Sequence, residues 1–121
     1  MLLVDAANVI GSRPTGWWRD RPGAARSFVD RIRAAVTSGR LTDPVVVVLE
    51  GAARNGARPE EAHGVTVLHA PGSGDDALVD VVAATDGPVT LVTADRELRR
   101  RAQAHGADVA GPGWFLDLLD G

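Results

Sequence analysis

The chain has 121 residues, 45% of them apolar, which suits one domain over residues 1–121 built round a single core. It has no cysteine, so disulfides and thiolate zinc sites are excluded, any metal ligand must be oxygen or histidine nitrogen, and a reducing cytosol is the expected setting. The net charge of −3 argues against nonspecific coating of nucleic acid but leaves room for a local basic rim.

Lysine is absent. The phosphate-binding P-loop needs one, and neither Gly51 to Gly56 nor Gly72-Ser73-Gly74 has its spacing. Receiver domains and haloacid-dehalogenase-type phosphatases typically set a lysine beside their aspartates, so both are disfavoured.

From the N-terminus the chain runs straight through Leu2-Leu3-Val4 into Asp5. This opening is too short for a signal-peptide core and no later run approaches a membrane span, so a cytoplasmic protein without membrane contact is expected. An aspartate closing a buried strand must be solvated, paired or bound to a cation. Capping of the next turn explains it equally well when it is taken alone. Asn8, three residues on, can swing its amide back to the same point.

Arg13 and Trp17-Trp18-Arg19-Asp20-Arg21 follow, in a loop on the same edge of the sheet. Aromatic and arginine side chains there suit a stacked base and a held phosphate, although a core or dimer contact is the ordinary role of a tryptophan. Ala25, Phe28, Val29, Ile32, Ala35 and Val36 then recur at helical spacing, and Gly39 stops the helix. The second strand, 45–49, runs into Glu50, which alone reads as a solvated strand end. Gly51 to Glu61, rich in Gly, Ala and Arg, is expected to be a mobile loop.

A strand at 65–69 leads to Ser73-Gly74-Asp75-Asp76, where Ser73 is placed to cap a helix and the acids suit its positive end. Asp76 and Asp80 are a like-charged i,i+4 pair, a cost of roughly 0.2–0.5 kcal/mol unless a cation or arginine intervenes. Asp75 falls between Val79 and Val82 on the helical wheel, toward the sheet, which capping does not explain. A strand at 89–93 ends in Thr93-Ala94-Asp95, with Asp95 a natural N-cap and Thr93 placed to orient a carboxylate or a water. Arg96, Arg99, Arg100 and Arg101 follow on the next helix; a solvated face is the usual reason for such a run, but Arg96 is close enough to Asp95 to hold a phosphate. A weak strand at 107–109 and a last helix at 114–119 complete the chain. His63, His69 and His105 lack metal-ligand spacing.

This alternation of strands and helices is α/β. In an open parallel sheet the carboxyl ends of the strands share one edge, so Asp5, Glu50, Asp75 and Asp95 can converge there. Four separate caps would have to coincide to explain them otherwise. An all-oxygen cluster suits Mg²⁺ or Mn²⁺.

Val4-Asp5-Ala6-Ala7-Asn8-Val9-Ile10, Gly74-Asp75-Asp76-Ala77-Leu78-Val79 and Val92-Thr93-Ala94-Asp95-Arg96-Glu97-Leu98 resemble, in order and spacing, three motifs of the NYN domains of the PIN-like nuclease superfamily. Glu50 also stands where related bacterial proteins often carry an acid. Leu98 departs from the aromatic common after the late aspartate, and no appended RNA-binding domain is present in these residues.

The resemblance implies a three-layer α/β/α PIN-like domain with a parallel sheet of order 3-2-1-4-5, and Mg²⁺- or Mn²⁺-dependent cleavage of RNA, single-stranded by expectation. On that reading Asp5, Asp75 and Asp95 are metal ligands and catalytic, with Glu50 and Asp76 as further ligand candidates and Asp80 behind them. Asn8 orients the water or an aspartate, and Arg13, Trp17 and Arg96 meet the substrate. A noncatalytic RNA-binding module and a metal-dependent phosphatase or nucleotide hydrolase are the alternatives. Substrate choice would then fall to the chain's own loops, a protein partner or a homodimer.

Overall fold

Runs of valine and leucine too short for helices become strands because β-branched side chains pack well on a pleated surface buried on both sides. The computed structural model describes residues 1–121. Its strands are β1 (Leu2–Asp5), β2 (Val45–Leu49), β3 (Glu60–Ala62), β4 (Val65–His69), β5 (Thr90–Val92) and β6 (Asp108–Ala110). The helices are α1 (Ala6–Gly11), α2 (Arg21–Thr37), α3 (Gly74–Ala84), α4 (Arg96–Ala104) and α5 (Pro112–Asp120), with 3₁₀ turns at Trp17–Arg19 and Gly51–Gly56.

One six-stranded sheet has the order β3-β4-β2-β1-β5-β6. Its five parallel strands lie in the expected 3-2-1-4-5 sequence, but β3 adds an antiparallel edge strand that the sequence reading lacks. The segment 51–61, expected to be a mobile loop, instead forms a 3₁₀ turn and enters a strand. Its 3₁₀ turn lies so close on α2 that a Cβ at Gly56 would come within 2.2 Å of the Pro22 carbonyl oxygen. The chain then enters β3, which joins β4 through His63-Gly64, both at positive φ (53° and 82°). Two such residues make the turn whose twist matches a hairpin, and a glycine at the second position makes it accessible. Arg33 of α2 reaches Glu60 of β3 at 3.4 Å and holds the added strand against the helix.

The period-2 alternation divides the core into two layers. Leu2 and Val4, Val45, Val47 and Leu49, and Val92 face α2 and α5, where Phe28 and Phe115 meet edge to face at 6.1 Å. Leu3, Val48 and Leu91 face α3 and α4, packing on Leu78, Val82, Leu98 and Ala102. Helix α2 starts at Asp20, whose carboxylate accepts from the Gly23 N–H at 2.9 Å, and the chain turns away after it at Gly39 (φ 83°). No helix is long and apolar enough to cross a membrane.

Candidate functional site

The same alternation decides where the strand-end polar groups point. Asp5 follows the parity of Leu3, Glu50 that of Val48, and Thr93 that of Leu91, so all three belong to the α3/α4 side of the sheet at its carboxyl edge. Asp5 is 7% exposed and Thr93 wholly buried. The Thr93 hydroxyl donates to one Asp5 carboxylate oxygen at 2.9 Å, and the Asn8 N–H donates to the other at 3.3 Å. Burial pushes the Asp5 carboxyl up to about 6; the two hydrogen bonds pull the other way, and the nearby Asp75 and Glu50 carboxylates add to the rise.

Glu50 reaches across to α3, where its Oε2 accepts from the Gly74 N–H at 2.9 Å. This caps the helix in place of Ser73, which makes no side-chain capping bond, contrary to the sequence expectation. The reason is steric. A Cβ at residue 74 would stand 2.8–3.0 Å from the Glu50 carboxyl atoms, so only glycine admits the carboxylate this close. Gly74 is therefore the site residue that sequence reasoning passed over; its signal was a glycine directly before two acids at a helix start.

Asp75 occupies the first turn of α3 and is half-buried. Its carboxyl is raised by burial first, then by Asp95 and Glu50, against a pull downward from Arg101. Asp95 N-caps α4 by accepting from the Leu98 N–H at 3.0 Å. The bend leading to it is fastened at two points: the Asn8 side-chain oxygen accepts from the Ala94 N–H at 2.8 Å, and the Thr93 hydroxyl oxygen accepts from the Asp95 N–H at 3.2 Å. Asn8 and Thr93 thus tie the start of α4 to the end of β1.

Other candidates lie apart. Asp76 is exposed and pairs with Arg101 of α4 at 2.9 Å, which supplies the cation that its spacing from Asp80 called for. Asp80 is exposed. On α4, Arg99 donates from Nε to the Thr93 carbonyl at 2.7 Å and Arg100 pairs with Glu97, leaving Arg96 exposed and free of any ion pair. Arg13 and Trp17 stand on the α1–α2 flank rather than beside Asp95. His69 hydrogen-bonds the Ala57 carbonyl at 2.7 Å.

The donor set offered to a cation is all oxygen, the chemistry of Mg²⁺ or Mn²⁺ sites. No group of three His, Asp or Glu side chains is assembled in ligating geometry, since Asp5, Glu50 and Asp95 are each turned to an N–H or hydroxyl donor. The electrostatics fit a cation nonetheless. Asp5 and Asp75 are both held above the usual carboxylate range by burial and by their acidic neighbours, and added positive charge would relieve that.

No family model matches the sequence, and no curated protein matches it. Among solved structures, the fold is similar to that of a mutant form of Rae1 (YacP) from Bacillus subtilis, at a TM-score of 0.76 and 20% identity over 98% of this chain and 73% of that one.

Proposed function

We propose that this chain is a ribonuclease that hydrolyses RNA phosphodiester bonds with the help of Mg²⁺ or Mn²⁺. The observation that carries the reading is a buried aspartate, Asp5, which caps α1 and is also kept near Asp75 and Glu50 at the carboxyl edge of a parallel sheet, where their charges raise its acid further at a cost in stability. The likeness of the motifs to NYN domains supports it, while the likeness to Rae1 bears on the fold alone.

Asp5, Asp75 and Asp95 would hold the cation, with Glu50 beside them. When bound, the cation supplies positive charge against the phosphate and acidifies water. The remaining work belongs to the chain. Thr93 and Asn8 fix the Asp5 carboxylate through their hydrogen bonds, and they fix the bend that presents Asp95. Arg96, unpaired at the start of α4, is free to steady a phosphate oxygen. In the reaction the water oxygen bonds to phosphorus, the opposite P–O bond breaks, and the leaving oxygen takes up a proton.

Single-stranded RNA incubated with Mn²⁺, and with EDTA, tests the proposal. Cleavage that needs the cation, and that falls about a hundredfold or more in Asp75→Asn and Asp95→Asn at unchanged fold, is the expected result. Asn at residue 95 still caps a helix, so that variant separates ligation from capping. RNA binding without cleavage under Mg²⁺ and Mn²⁺ would make the chain a binding module. Phosphate release from mononucleotides with no action on RNA would make it a phosphatase.

A further inference from the structure

The α1–α2 flank carries two adjoining clefts that share Trp17, Ile10 and Ala24. The first, of about 450 Å³, is lined by Ala6, Ala7 and Leu49 and bordered by Gly72 and by Glu50, the one acid of the carboxyl edge that reaches it. The Arg21 guanidinium stands over the Trp17 ring, 5.2 Å from its centroid, and both line this cleft. The second, of about 580 Å³, also borders Trp17 and is lined by Arg13, Arg26 and Arg31, with Asp20, which caps α2, beside them.

We propose that this flank receives the RNA strand as it leaves the acid edge: one unpaired base enters the first cleft against Trp17 and Arg21, and a neighbouring phosphate is held in the second by Arg13 and Arg26. The inference rests on the ribonuclease reading and adds the course of the substrate. A mostly apolar slot with an aromatic wall and a guanidinium suits the face of a base, and does so for any base because each has a π-face. The volume of the first cleft, about 450 Å³, is ample for one base.

The distribution of free positive charge selects this flank over α4. Arg99, Arg100 and Arg101 are each committed to a carbonyl or carboxylate of the chain, so α4 offers only Arg96. In the second cleft Arg31 is paired with Asp120, but Arg13 and Arg26 make no ion pair and are exposed. A phosphate there replaces solvent rather than an existing partner. Glu50 joins the two regions, since the carboxylate that caps α3 also borders the base cleft.

Fluorescence anisotropy of a labelled oligouridylate in EDTA reads binding without turnover. Trp17→Ala is expected to weaken binding about tenfold, with Trp17→Phe retaining most of the affinity. Arg13→Ala and Arg26→Ala should each lower the magnitude of the slope of log K against log salt by about 0.7, the loss of one contact to a single strand. Arg100→Ala should match the parent. An oligomer of the same length lacking bases should bind the parent weakly and be indifferent to Trp17→Ala. If the Trp17, Arg13 and Arg26 variants bind as the parent does while Arg96→Ala binds poorly, the strand runs over α4 and the inference fails with the ribonuclease reading intact. A parent that neither binds nor cleaves RNA removes both.

Discussion

The two edges of the sheet are finished by different chemistry. At the amino edge the strands enter through backbone hydrogen bonds: Leu2 N–H to Pro44 O at 2.8 Å, Val45 N–H to Gly64 O and Thr90 N–H to Met1 O, both at 2.9 Å. Each of these strand starts is satisfied by main chain, and its side chains, Leu2 and Val45 among them, are left to pack the core. At the carboxyl edge backbone bonds such as Ala70 N–H to Leu49 O are joined by bonds to side chains, and the acceptors at Asp5, Glu50 and Asp95 are carboxylates. A buried carboxylate whose acid is weakened destabilises the fold whenever it is ionised. One edge thus serves stability, and the other holds charge at stability's expense, which is the usual mark of a site.

The largest effect on stability that would break this contrast concerns Asp5. Its acid is near 3.8 when unperturbed and about 6 in the fold. As pH rises through this interval the unfolded chain releases its proton first, so the folded state holds more protons and stability falls. The loss begins near pH 4 and is complete somewhat above 6, amounting to about 3 kcal/mol without a cation. Denaturant titrations from pH 3.5 to 7.5 should show that decline, superposed on the other groups. Asp5→Asn should flatten it and stabilise the cation-free protein at neutral pH by about 1 kcal/mol, the rest of the gain being lost to an imperfect match with the Thr93 hydroxyl. An unchanged pH profile in that variant would leave the two edges alike.

Next in size is the response to cations. Mn²⁺ binding only the folded state should stabilise it by about 2.7 kcal/mol at a hundredfold excess over Kd, read as a rise in Tm. Asp5→Asn should lose most of that rise. A Tm indifferent to millimolar Mn²⁺ and Mg²⁺ would reduce the carboxyl edge to a set of caps.

Gly74→Ala sharpens the contrast at a single contact. The added methyl meets the Glu50 carboxylate, so the capping bond must open, and a loss of about 1–2 kcal/mol is expected despite the better helix propensity of alanine. Ser73→Ala, which removes no cap, should cost far less. The smallest effect belongs to the amino edge: Asp43→Asn, at an exposed residue before β2, should change stability by no more than about 0.5 kcal/mol and leave the Mn²⁺ response intact.

Local pattern was enough for the α/β class, the five parallel strands, the helices α2 to α5 and the acids at strand ends, because burial imposes a period of 2 or 3.6 on each segment separately, whereas the short α1 went unread. Even the common face of Asp5, Glu50 and Thr93 follows from counting alternate residues back to Leu3, Val48 and Leu91. Contacts between segments were a different matter. That Glu50, and not Ser73, caps α3 depends on two backbones approaching closely, 24 residues apart in the chain. Asn8 meeting Ala94, and Arg101 turning Asp76 toward α4, likewise require the elements to be docked. The turn and strand in 51–61 went unread for a related reason: its Gly, Ala and Arg content carries no strand period, and both form against α2 and β4, on which the segment packs. The sequence by itself determined which side chains the carboxyl edge would contain; the tertiary structure decided which N–H, hydroxyl or guanidinium each one faces, because a hydrogen bond depends on position to a fraction of an ångström while a hydrophobic stripe depends only on spacing.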